Sequence, residues 1–149
     1  MKAIFGGVIA AVLLGIYVHL IRVAYLIVDC ASQPGCTSKT PGDFNDVMAQ
    51  TLTVIGGLVS ALVIAELAVT KPGEAPVSRV LAANATPMSK SVLKAVTILY
   101  VLVWLIAGLV AFMKGMYHPK VLPPLTSVGQ SWLGLAVAAA YAYFGIKPK

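Results

Sequence analysis

A histidine and an arginine three residues apart, His19 and Arg22, interrupt an apolar run that carries no other charge between positions 3 and 28. An ionisable group in hydrocarbon is costly, and by default it marks a proton relay, a ligand site or the wall of an aqueous path. His19 lies nearer the middle of the run, too deep to reach the interface, and reads first as a hydrogen-bonded packing residue. Arg22 lies about six residues, or ~9 Å at 1.5 Å per residue, from the outer end of the run. Its stem can carry the guanidinium to water, or the group can pair with Asp29, Asp43 or Asp46. Anchoring is therefore the first reading of Arg22, ahead of a pore or ligand role. Gln50 and Thr53 put polar groups near the start of a second apolar run, and Glu66 stands about one turn from its far end. Glu66 and Arg22 belong to opposite surfaces, so Glu66 is expected to meet Lys71, Lys90 or Lys94 instead.

Cys30 and Cys36 enclose a short segment containing Pro34-Gly35, a spacer that turns easily, and are predicted to form a disulfide clamp. A membrane thiol-redox protein would want a C-x-x-C motif and a second cysteine pair, and the chain has two cysteines in all. No H-E-x-x-H, Walker loop, Rossmann glycine pattern or Ser/His/Asp set occurs, and two distant histidines make no metal site. The expectation is a protein that is not an enzyme, with no catalytic, metal or cofactor-binding residues.

The elements that position these groups are four apolar runs at about 3–28, 47–69, 92–113 and 128–146. Each approaches the ~20 residues that span a ~30 Å hydrocarbon core as a helix. Composition agrees: 59% of residues are hydrophobic and 11% charged, against roughly 25% charged in a soluble domain. The expected fold is all-α, one transmembrane four-helix domain over 1–149 with no soluble domain. The first run is too long for the core of a signal peptide and is read as a retained span. A net charge of +6 would suggest nucleic acid in a soluble protein. Here the lysines sit at span ends, where topology and anionic headgroups account for them.

Orientation follows from those charges. Lys2, Lys71, Arg79, Lys90, Lys94, Lys147 and Lys149 fall on one side, and Lys39, Lys114 and Lys120 on the other. The richer side is expected to be cytoplasmic, giving N-in/C-in topology, with the 29–46 and 114–127 loops outside. An oxidising outer compartment would also let the two cysteines pair.

Small residues recur along three of the runs: Gly7, Ala11 and Gly15 leading to His19, then Gly57 and Ala61, then Gly134 and Ala138. Such rows let helix backbones approach closely in lipid. Between the runs, Asp43 or Asn45 is expected to cap the second helix, and Ser89 or Ser91 the third. Residues 77–85 read as a weak amphipathic helix at the headgroups, and 115–127 as a rigid proline-rich connection. The favoured function is a non-catalytic subunit of a membrane complex or homo-oligomer, assembled through small-residue helix faces. Its partners would be the bilayer and other membrane subunits or itself, not nucleic acid, and its location a bacterial inner membrane with both termini cytoplasmic. The rival is a channel- or holin-like oligomer whose copies line a pathway with His19, Arg22, Gln50 and Thr53, and a thiol-redox protein comes third. The charge bias predicts that a reporter fused after Lys149 is active only in the cytoplasm. An impermeant amine reagent should label Lys39 in intact cells, and protection of Lys39 would reverse the orientation.

Overall fold

The computed structural model describes residues 2–68 and 87–144, and among these it is all helical. Four long helices follow one another: α1 (Lys2–Ala31), α2 (Asp46–Ala68), α3 (Pro87–Tyr117) and α4 (Pro123–Phe144). Three stretches are long and apolar enough to cross a membrane: Gly7–Ala31, Asp46–Ala65 and Ala95–Tyr117. α4 is the polar exception. It is 22 residues long, but its first half carries Thr126, Ser127, Gln130 and Ser131.

Helix ends explain where the sequence reading and the fold part. Asn45 caps α2, its Oδ1 accepting the Met48 N–H at 2.8 Å. Asp43 instead closes the 3-10 turn Pro41–Asp43, accepting from the Thr40 N–H at 2.7 Å and from its hydroxyl at 3.2 Å. These two donors hold the Asp43 carboxyl below the usual carboxylate range. Their stabilisation is present above the ordinary carboxylate pKa and is lost as pH falls through the lowered one. α3 begins at Pro87 rather than near 92, so Ser89 and Ser91 fall within the helix instead of capping it. The expected proline-rich loop over 115–127 is mostly helix as well. α3 runs on to Tyr117 and α4 opens on Pro123-Pro124, leaving only His118–Leu122 as connection. Proline suits a first helical turn, whose N–H groups have no intrahelical acceptor. The Leu122 carbonyl accepts from the Leu125 N–H at 3.0 Å as the helix starts. The expected 77–85 helix and the lysine partners of Glu66 lie outside the described residues.

α1 packs against α2 and α3, and α4 packs against the same two helices from the other side. Each helix turns a 3–4-spaced seam inward. On α1 it is Tyr17, Leu20, Ile21, Ala24, Ile27 and Val28; on α2, Leu52, Ile55, Val59 and Val63. On α3 it is Trp104, Ala107 and Ala111; on α4, Leu125, Val128, Trp132 and Ala139. Alternating steps of three and four average 3.5 residues and hold one face of a helix toward its partner. The outer surface is apolar too, with Val8, Val12, Leu58, Leu99, Ile106 and Val137 exposed.

Glycine sets how close the helices come. At Gly129 a Cβ would stand 2.7 Å from the Phe112 Cα, and at Gly115 2.8 Å from the Thr126 Cα. At Gly108 it would overlap the Trp132 indole. α3 and α4 therefore touch backbone to backbone near their connection and interlock through an indole one level deeper. On α2, a Cβ at Gly56 would press on the Tyr17 ring at 3.3 Å. None of these four glycines belongs to the rows at Gly7, Gly15, Gly57 and Gly134, where an added Cβ meets nothing within 4 Å. Within the chain those rows are not packing faces, and Ala11, Ala61 and Ala138 are exposed with them. A pair of variants separates the two classes. Gly129→Val should cost about 1–3 kcal/mol through forced backbone separation, whereas Gly134→Val, in open space, should leave detergent-solubilised thermal stability nearly unchanged.

Candidate functional site

Two polar clusters lie at different depths of this scaffold, and neither is the group that the sequence put forward. The deeper one begins with Ser60, the buried polar residue of α2, only 2% exposed. Its hydroxyl donates to the Gly56 carbonyl one turn back at 2.7 Å. The same oxygen accepts the Trp104 indole N–H from α3 at 2.9 Å. One hydroxyl thus satisfies a buried donor on one helix and a buried carbonyl on another, leaving no unpaired group along that chain. Trp104 lies against Trp132 of α4, with ring centroids 5.8 Å apart and planes tilted by 55°. Trp132 has made a different compromise: its ring fills the space over Gly108, while its buried N–H has no hydrogen-bond partner among the described residues.

Beside this chain a small cleft opens between α2 and α4, with Tyr17 of α1 among its lining residues. Thr53, Ser60, Ser127 and Ser131 contribute hydroxyls, and its volume is about 70 Å³. That is room for water, but far below the ~300–1,000 Å³ of a pocket for an organic ligand. The lining contains no histidine, cysteine or carboxylate. Its chemistry is that of hydrogen bonding to small polar species.

The second cluster joins the ends of α1 and α3. Lys114 Nζ stands 2.7 Å from Asp29 Oδ1 and 4.3 Å from the centre of the Tyr25 ring. Gln33 donates to the other carboxylate oxygen of Asp29 at 3.0 Å. Nearby, the Ser32 hydroxyl donates to the Val28 carbonyl at 2.7 Å and lies 3.3 Å from His118 Nε2. Just beyond, the sulfurs of Cys30 and Cys36 lie at bonding distance, with Cα atoms 5.3 Å apart, inside the usual range for a bridge. The enclosed turn explains why this spacing works. The Cys36 N–H bonds the Gln33 carbonyl at 3.3 Å, and Gly35 takes φ +82°, a left-handed value that glycine adopts freely after Pro34.

The residues grouped from the sequence end up apart. His19 and Arg22 are both exposed on the outer face of α1. Asp29, an expected partner of Arg22, is engaged by Lys114 instead, and no described carboxylate pairs with Arg22. Arg22 borders a groove between α1 and α3, whereas Thr53 borders the cleft between α2 and α4. With α1 and α4 each seated between α2 and α3, those two openings lie on opposite sides of the helical assembly. Gln50 is exposed, and Thr53 bonds back to the Ala49 carbonyl at 3.0 Å. The Glu66 side chain lies outside the described residues. Among the described residues no cluster of three or more His, Cys, Asp or Glu side chains is placed to hold a metal.

Along the sequence Lys114 counts only as one of the charges outside, and nothing there joins Trp104 to Ser60. The usable signal was spacing: Ser60 falls four residues after Gly56 and three before Val63, and Trp104 three before Ala107, on the inward faces of their helices. A double-mutant cycle on Ser60→Ala and Trp104→Phe should return a coupling of about 0.6 kcal/mol, with ~1.7 kcal/mol as a ceiling for such bonds in membranes. Zero coupling in detergent unfolding would show that the hydroxyl and the indole do not act together.

No protein-family model, curated protein or solved structure matches this chain, so its function is argued from the side chains themselves.

Proposed function

We propose that this protein is a non-catalytic membrane subunit, assembled as a homo-oligomer or within a larger membrane complex through the small-residue faces it leaves uncovered. In this reading all four helices cross the membrane. Both termini are cytoplasmic, the disulfide end lies outside, and the membrane is a bacterial inner membrane. The observation that carries the proposal is the division of the glycines into two sets. Gly56, Gly108, Gly115 and Gly129 are consumed by contacts inside the chain, whereas Gly7, Gly15, Gly57 and Gly134 face open space. Glycine lowers helix stability relative to alanine by roughly 0.8–1.0 kcal/mol, and a lipid-facing glycine gains nothing in return. A second backbone seated on it does, because association in lipid rests on close van der Waals packing. Ala11 extends the α1 face, and Ala61 and Ala138 extend the α2 and α4 faces, all of them exposed.

The separation of Arg22 from Thr53 weighs against the channel reading in its simple form. A ring of copies turns one side of each toward a central path, and these residues open on opposite sides. A lumen lined by His19 and Arg22 alone is the version left standing.

Gly15→Leu and Gly57→Leu are expected to shift the particle to smaller mass, read by mass photometry or crosslinking in mild detergent. Gly15→Leu should leave the unfolding temperature of the monomer nearly unchanged, since a Cβ there meets nothing within 4 Å, whereas Gly57 borders the α2–α4 cleft and its variant is judged by particle mass. An unchanged mass in both variants would refute assembly through these faces. A pH-dependent current from reconstituted protein, lost in His19→Leu with assembly intact, would establish the channel in place of the subunit.

A further inference from the structure

The groove between α1 and α3 combines apolar walls with one unneutralised cation. Val18 and Ile21 of α1 face Val103, Ile106 and Val110 of α3 across an open volume of about 380 Å³. Arg22 and Tyr25 border the same groove on the side nearer the disulfide end. Arg22 is exposed, and no described aspartate neutralises it. The neighbouring cation, Lys114, is already held by Asp29 at 2.7 Å and covers the Tyr25 ring. Arg22 stands nine residues before the end of α1 at Ala31, or about 14 Å along the axis at 1.5 Å per residue. A guanidinium that starts so deep in hydrocarbon requires an anion or water at the end of its reach. The groove below it is shaped and lined for hydrocarbon.

We propose that this groove binds an anionic phospholipid from the leaflet at the Cys30–Cys36 end, its phosphate paired with Arg22 and an acyl chain lying between α1 and α3. The guanidinium presents several N–H donors in a fixed fork that matches two phosphate oxygens at once. The phenol of Tyr25 sits about one turn nearer that surface. Val18, Ile21, Val103 and Ile106 lie at and below the level of Arg22, where the chain of a lipid anchored there would run. Charge complementarity selects the class of lipid: a zwitterionic headgroup brings its own cation to a site that already holds one, whereas an anionic headgroup does not. A second copy of this chain offers Arg22 little. Of the acidic residues at this end of the chain, Asp29 is taken by Lys114 and Asp43 by Thr40, which leaves Asp46 alone to meet it.

The test is native mass spectrometry of the full chain in mild detergent, with equal amounts of phosphatidylglycerol and phosphatidylcholine of matched acyl chains. The wild type should retain phosphatidylglycerol preferentially. Arg22→Gln should lower that preference about five-fold, the value of one basic residue at an anionic surface. Arg22→Lys, which keeps the charge but not the two-pronged donor set, should keep part of it. Lys120→Gln removes the same formal charge from an exposed loop residue and should leave the preference in place. Because Arg22 is exposed, its replacement does not disturb the buried seam, and an unchanged unfolding temperature would confirm that folding is intact. An undiminished preference in Arg22→Gln would overturn the proposal. So would an equal loss in Lys120→Gln, which would make the effect one of net charge. A fall in oligomer mass in Arg22→Gln with no change in bound lipid would overturn it as well, assigning the groove to a second copy.

Discussion

The contact on which the rest of the structure depends is the backbone-to-backbone approach of α3 and α4, permitted by glycine on both sides. Gly115 admits the Thr126 backbone, and Gly129 admits that of Phe112. Thr126 Oγ1 then bonds the Gly115 carbonyl at 3.3 Å, tying the first turn of α4 to the last turn of α3. With the two helices this close near His118–Leu122, the Trp132 ring comes to lie across Gly108 and reaches Trp104. Trp104 in turn is oriented toward Ser60 of α2. Each step fixes the next, so a side chain added at Gly129 would be felt as far away as α2. In lipid, where apolar surface drives little association by itself, such close packing supplies what water exclusion supplies in a soluble core.

Polar groups within this apolar scaffold follow one economy: a few residues each satisfy several neighbours. Ser60 serves Trp104 and Gly56. Asp29 takes Lys114 on one oxygen and Gln33 on the other. Both arrangements join helices rather than solvate single residues. They also leave Arg22 aside, because the carboxylate at the i+7 position of its own helix is claimed across the α1–α3 contact. An exposed guanidinium at the edge of an apolar groove is the result, and that pairing of charge with hydrocarbon gives the two outward openings different characters. The α2–α4 cleft is small and hydroxylated, whereas the α1–α3 groove is larger and apolar.

Chain-order information carried far in this protein. Long apolar runs with charges at their ends indicated helices, and helices over all four runs are present. Pro34-Gly35 between two cysteines indicated a turn that brings the sulfurs together, and the turn is there. Helix limits are harder to read, because proline marks a helix start as readily as a break, and Pro87 and Pro123-Pro124 open α3 and α4. A first helical turn has unpaired N–H groups in any case, and proline fits it. The fourth run, expected from about 128, already took in Gln130 and Ser131; α4 starts five residues earlier, at Pro123, and takes in Ser127 as well.

What the sequence determined by itself was local: helix, turn, disulfide and an overall preference for lipid. Which faces meet was a decision of the tertiary structure. A row of strict four-residue steps, such as Gly7, Ala11, Gly15 and His19, advances about 40° around the helix at each step, because 3.6 residues make a turn. It drifts off any straight contact, whereas Tyr17, Leu20, Ala24 and Ile27 alternate threes and fours and stay on one. Both patterns are visible in the chain, but only a partner helix distinguishes the one that is buried. The same holds for Asp29. Its nearest basic residue along its own helix face is Arg22, and its actual partner, Lys114, is brought to it because α3 runs parallel to α1 and ends at the same level.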